Sequence, residues 1–119
     1  MNNRRIQQTL RKLIAHIDHT LEYCDGLDFD GFMADRMRQE ACVFNLLQIG
    51  ELSRNGLDEA FIAAHPEAPW RQMYGMRNRI AHDYEGILMR IIWETISQDF
   101  GPLRDTLKTI LSTLEEPLP

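Results

Sequence analysis

The chemistry of this chain is concentrated in one stretch, Trp70-Arg71-Gln72-Met73-Tyr74-Gly75-Met76-Arg77-Asn78-Arg79-Ile80-Ala81-His82-Asp83-Tyr84. It gathers three Arg, one His and three aromatics, with Asp83 as its one carboxylate. If Arg77 to His82 is helical, Asn78 and His82 lie four apart and share a face. Arg77 stands one residue behind Asn78, and its long side chain can swing to the same spot. Arg79 and Asp83 are also four apart and can pair. An imidazole exchanges a proton near neutral pH. A guanidinium holds a phosphate and stabilises the charge that builds on it in a transition state. Together they suit cleavage of an RNA strand by its adjacent 2′-hydroxyl, a reaction that needs no metal. One positioned acid or base contributes about 10²–10⁴-fold. By spacing alone, however, an Arg and a His on a helix more often cap, pair or face water.

Other chemistries find no support. There is no Gly-rich phosphate loop, GxSxG, HExxH or paired CxxC. His16 and His19, three apart, could supply two metal ligands, but nothing nearby completes a shell, and they read as solvated helix-face histidines. Cys24 and Cys42 are the only cysteines and read as reduced packing residues. The net charge of −5 excludes a uniformly basic nucleic-acid coat but not a local basic patch. Eleven of the 13 basic residues are Arg, the residue better suited to bidentate phosphate binding. No apolar run approaches the roughly 20 residues a membrane span needs. The basic start, Met1-Asn2-Asn3-Arg4-Arg5, has no apolar signal core behind it, so a cytoplasmic location is expected.

The elements that must position these residues read as helices. With 119 residues, 44% of them hydrophobic and 26% charged, the chain suits one domain over 1–119. If compact, its radius of gyration is expected at about 13–14 Å. Ile6, Leu10, Leu13, Ile14, Ile17 and Leu21 define one face of a first helix over about 3–23. A second helix is expected from near Asp30, as its N-cap, to about Ser53. Its apolar residues, among them Met33, Met37, Phe44, Leu46 and Ile49, cover more than one stripe. The surplus fits either self-association or a central helix contacted on several sides. Asn55-Gly56 closes it. A short helix from Leu57 stops before His65-Pro66, and Pro69 opens the helix that carries the Arg and His residues. Gly86 interrupts, and a last helical region follows with a break or kink at Gly101-Pro102. Phe100, Leu103, Leu107, Ile110 and Leu114 step by three and four, and residues 116–119 are expected to fray. No segment alternates as a strand does. The fold class is all-α, an up-and-down bundle of about four to five helices.

The segment Met76 to Tyr84 resembles the Arg-x-x-x-x-His-x-Tyr signature of HEPN-domain proteins, specifically the HepT-like toxins of toxin–antitoxin pairs. Ile49-Gly50-Glu51, Pro69-Trp70-Arg71, Trp93 and Asp99-Phe100-Gly101-Pro102-Leu103 match family landmarks in order, so the likeness spans nearly the whole chain. It implies a helical bundle that dimerises, with two Arg-x4-His motifs facing one cleft as a composite, metal-independent endoribonuclease site acting on tRNA or mRNA. It implies no cofactor. Arg77 would hold phosphate, His82 would act as general acid and base, Asn78 would orient either one, and Arg79 would position phosphate or pair. It further implies a type VII-like toxin–antitoxin partnership with a minimal nucleotidyltransferase that transfers AMP to Tyr84. A bulky anion two residues from His82 would exclude a substrate phosphate. Glu85 and Leu88 depart from the family's usual residues, and without a capping Asp at position 88 the start of the last helix is expected to differ. The competing reading is a HEPN-like binding module that docks a nucleotidyltransferase without catalysis of its own.

Overall fold

The computed structural model describes residues 1–82 and 86–115. Every regular element among them is helical: α1 (Asn3–Cys24), α2 (Phe29–Met33), α3 (Arg36–Asn55), α4 (Glu59–Ala64), α5 (Trp70–His82), α6 (Gly86–Glu94), a π-helical turn (Thr95–Asp99) and α7 (Phe100–Leu114). The fold is all-α. Asp83, Tyr84, Glu85 and the tail expected to fray lie outside the described residues.

α1 begins where Asn2 accepts the Arg5 N–H at 2.9 Å, satisfying one of the free amides of a helix start. Its apolar stripe is buried as the periodicity predicts, with Leu10, Leu13 and Ile17 fully covered. Three pairs of contacts give the direction of α3 against it. Thr9 donates to the Gly56 carbonyl at 2.9 Å, His16 meets Asn45 at 2.9 Å, and the Cys24 and Cys42 sulfurs lie 3.6 Å apart. Numbers rise on one helix as they fall on the other, so α1 and α3 are antiparallel. By the same argument Gln7 with the Leu114 carbonyl and Asp18 with Arg104 set α7 antiparallel to α1. α5 packs on the other side of α3, giving the lateral order α5–α3–α1–α7. The up-and-down bundle is thus one layer wide at α5. The radius of gyration, 14.8 Å, exceeds the compact expectation because the layer is long and thin, 51 × 29 × 20 Å.

The expected second helix is two helices. Asp28, not Asp30, caps α2 by accepting the Gly31 N–H at 2.8 Å. Asp35 caps α3 by accepting the Arg38 N–H at 3.1 Å. Gln39 donates to the Phe32 and Met33 carbonyls at 2.9 Å each, satisfying the acceptors left at the end of α2. Two aspartates seven residues apart each offered a start, and both are used. α3 consumes most of its apolar surplus between α1 and α5, burying Cys42, Val43, Leu46 and Ile49. Met37 at 83% and Phe44 at 56% remain exposed. Gly56 ends α3 with φ −91°, so it is not needed for a left-handed turn; a Cβ there would lie 2.6 Å from the Thr9 methyl. Room, not backbone freedom, requires the glycine.

Leu88 is 3% exposed and belongs to the core, so α6 begins at Gly86 without a capping side chain at position 88. Gly101-Pro102 does not break the chain. α7 runs through both, and the distortion lies one turn earlier, at Thr95–Asp99. Pro102 can neither donate to the Gln98 carbonyl nor tolerate it at α-helical distance. The wider π turn takes up that conflict. Cys24 and Cys42 are free, buried thiols, as read from their number. The hydrogen bond that the Cys42 thiol donates to Cys24, together with burial, pushes the Cys42 thiol up, so it stays protonated.

Candidate active site

The site begins with a glycine. Gly50, in the second-last turn of α3, is buried against α5. A Cβ built there would lie 2.3 Å from Arg77 Cβ and 3.0 Å from Arg77 Cγ. The two backbones therefore approach more closely at Arg77 than any larger residue permits. Four residues on along α3, Arg54 lies over Tyr74, three residues back along α5, with its guanidinium carbon 4.3 Å from the ring centroid. These two crossings make α3 and α5 antiparallel and define a seam with Arg77 at its closest point.

The Arg77 stem is pinned by that approach, and its head is held by polar partners. Arg77 Nε lies 3.6 Å from Glu51 Oε2, and Arg77 Nη1 donates to Asn78 Oδ1 at 3.3 Å. Glu51 is held in turn, since Asn55 Nδ2 donates to its Oε1 at 2.6 Å. Arg77 still keeps 38% of its side chain exposed. A guanidinium has five N–H groups, and these contacts leave donors for an anion from solvent. His82 ends α5 and is exposed. It lies one turn beyond Asn78 on the same face, as the spacing predicts.

The other candidates separate. Arg79 does not join the seam. It lines a groove of about 750 Å³ between α3, α5 and α7, together with Leu46, Ile49, Met76, Phe100 and Leu103. Its expected partner Asp83, and Tyr84, lie outside the described residues. His16 bonds Asn45 and His19 stacks on Tyr23 with centroids 6.3 Å apart. Among the described residues no three His, Cys, Asp or Glu gather as metal ligands.

Two features of the seam had no role in the sequence reading. Glu51 stood there only as a landmark, and the pair Arg54–Tyr74 not at all. The available signal was Gly50 itself. A glycine inside an otherwise apolar helical run costs about 0.5–1 kcal/mol relative to Ala, which points to close approach by a neighbour.

The family described as "Ribonuclease HepT-like" matches residues 13–110, from the middle of α1 to the last turns of α7, and so includes the whole seam. The chain belongs to the HepT-like ribonuclease family. It is similar to a Caldanaerobacter subterraneus subsp. tengcongensis protein named "Putative RNase TTE0752", 35% identical over 103 residues that cover 81% of this chain and 91% of that one. It is also similar to "Probable ribonuclease HepT" of Thermococcus cleftensis, 37% identical over 95 residues, 80% of this chain and 86% of the relative. A third relative is "Putative RNase MJ0127" of Methanocaldococcus jannaschii, 30% identical over 114 residues, 92% and 93% of the two chains. No solved structure matches. The HepT-like family assignment agrees with the all-α architecture and with the residues from which the resemblance was drawn.

Proposed function

We propose that this HepT-like chain is an endoribonuclease that cleaves RNA by attack of a 2′-hydroxyl on its own phosphodiester. The observation that carries the proposal is the arrangement of Arg77. Its guanidinium is fixed between Glu51 and Asn78, and an exposed His82 follows on the same face of α5. Arg77 binds the scissile phosphate through its free N–H groups. His82 moves the proton, taking it from the 2′-oxygen or giving it to the departing 5′-oxygen. Asn78 and Glu51 keep the guanidinium in place, and Arg79, on the other side of the helix, serves flanking phosphate. The reaction calls on no metal and no cofactor.

The same reading takes the protein as a homodimer. Met37, Phe44 and Glu51 are spaced by seven on α3 and so lie nearly on one line, drifting about 20° per step. A second copy seated on the exposed Met37–Phe44 stripe would run along the line that ends at Arg77. Two Arg77–His82 pairs would then face one cleft. The biological setting that fits is a toxin with tRNA or mRNA as target, restrained by a nucleotidyltransferase that transfers AMP to Tyr84. The decisive test is cleavage of total tRNA and mRNA by the purified chain in EDTA, beside His82→Ala. Its intact mass is checked first for an AMP adduct. Cleavage by wild type alone supports the assignment. Equal cleavage by a folded His82→Ala protein refutes it.

A second reading rests on Met37 and Phe44 themselves, exposed at 83% and 56% on an acidic chain. They would dock the nucleotidyltransferase without catalysis by this chain. That reading requires a stable complex indifferent to loss of Arg77 or His82, and no cleavage by the free protein.

A further inference from the structure

The seam extends one helical turn beyond Arg77, to the pair Arg54–Tyr74. We infer that this pair is a nucleobase-stacking subsite, taking the base of a nucleotide next to the one whose phosphate Arg77 holds. The inference rests on the ribonuclease reading and deepens it.

Arg54 stands in the last turn of α3, exposed, with its guanidinium carbon 4.3 Å above the Tyr74 ring. A guanidinium at that distance lies on the face of the ring, held by cation–π attraction. The ring covers the group from one side, and Arg54 is otherwise exposed. The nearest acidic residue one turn back on α3, Glu51, is engaged with Arg77 and Asn55 instead. A planar cation, backed by an aromatic ring and otherwise exposed, is the surface on which unpaired RNA bases stack.

Its place on the helix fits a nucleotide. Tyr74, Asn78 and His82 are spaced by four on α5, so they follow one another along a stripe that drifts about 40° per step, each about 6 Å further along the helix. Along that stripe come a stacking platform, a phosphate holder through Arg77, and a proton carrier. Tyr74 supplies the backing ring and holds the Arg54 plane outward. The ligand is single-stranded RNA, because a base must leave its helix to lie on the platform.

The test uses a fluorescein-labelled single-stranded oligoribonucleotide and a series in which one abasic nucleotide is walked along it. Binding is read by anisotropy with His82→Ala, so that the RNA stays whole, and with His82→Ala carrying Arg54→Lys. Lysine keeps the charge and loses the plane. Arg54→Lys is expected to weaken binding about 10- to 100-fold. On the oligonucleotide whose abasic position matches the subsite, the parent loses that amount and Arg54→Lys loses nothing further. Equal binding by Arg54→Lys, or the same loss on every abasic oligonucleotide, overturns the subsite. Cleavage of the same intact oligonucleotide by wild type in EDTA separates the two levels. Cleavage without position-dependent loss refutes the subsite alone. Position-dependent loss without cleavage retires the ribonuclease reading and leaves the subsite standing. Neither binding nor cleavage overturns both. Melting temperatures of all variants establish that each is folded.

Discussion

Replacing Gly50 by Ala tests whether the close approach of α3 and α5 organises the site. The new Cβ would lie 2.3 Å from Arg77 Cβ. Carbon atoms settle at about 3.5–4.0 Å, so the seam must open by about 1.2–1.7 Å at Arg77. Neither contact is the far end of a flexible chain, and the Met73 carbonyl lies 3.2 Å from the same point. Overpacking of this kind costs about 1–3 kcal/mol. Alanine recovers about 0.5–1 kcal/mol of helix propensity. The net loss, up to about 2.5 kcal/mol, lowers Tm by up to about 10 °C. The effect on activity is larger, because a displacement near 1 Å of a group that holds the reacting phosphate costs about 100-fold. Gly75→Ala is the control. It sits in α5 two residues from Arg77 but on the opposite face, and its Cβ would meet nothing within 4 Å. It is expected to raise stability by about 0.5–1 kcal/mol and to leave cleavage unchanged. Circular-dichroism melts and kcat/KM on a single-stranded RNA read both effects. A Gly50→Ala protein that melts no lower than wild type and cleaves as fast refutes the reasoning.

Three further outcomes are expected. His82→Ala, at an exposed position, changes stability by less than about 0.5 kcal/mol and lowers kcat by about 10²–10⁴; a large drop in Tm would make His82 structural instead. Glu51→Gln removes the carboxylate 3.6 Å from Arg77 Nε. Exposed pairs contribute only about 0–1 kcal/mol, so Tm barely moves, while kcat falls about tenfold as the guanidinium loses its orientation; an unchanged kcat would remove Glu51 from the site. Asp58 caps α4, and the Phe61 N–H at 2.8 Å, with the Met1 amino group at 3.1 Å, holds its carboxyl below the usual range. A lowered folded-state pKa means that this contribution is present above the unfolded value near 3.9 and is lost as pH falls through the folded one. The urea midpoints of wild type and Asp58→Ala should therefore differ at pH 7 and converge at low pH, and a gap independent of pH would contradict the assignment.

The helices were legible because their signals are local. The α1 stripe, the stop before His65-Pro66 and the start after Pro69 each follow from a few neighbouring residues. The division of α2 from α3 was not, since Asp28, Asp30 and Asp35 all resemble caps. Only the packing of Phe32 into the core selects between them. In the site, Arg77, Asn78 and His82 were legible through spacing along one helix. Glu51, Arg54 and Asn55 lie on another helix and reach the seam only through the antiparallel crossing. The face that Arg79 takes follows from the same helical geometry. Two residues along a helix is more than half a turn, so it faces the groove beside α7 and not the seam.

The π turn at Thr95–Asp99 leaves a mark in the sequence that concerns phase. Leu88, Ile92, Ile96 and Phe100 are all buried, and each follows the last by four. In an α-helix a step of four overshoots a full revolution by about 40°. Three such steps would carry the stripe about 120° around the rod and off the core. A single wide turn absorbs about one residue, or about 100°, and the stripe stays in line. Beyond Phe100 the steps return to three and four, through Leu103, Leu107 and Ile110. The distortion therefore acts as a clutch between two rotational settings of one rod. Deleting one residue from it would restore a regular helix only by letting one setting slip against the other. Either α6 would turn away from α2, or α7 from α1, and the layer that holds the seam in place would lose one of its sides.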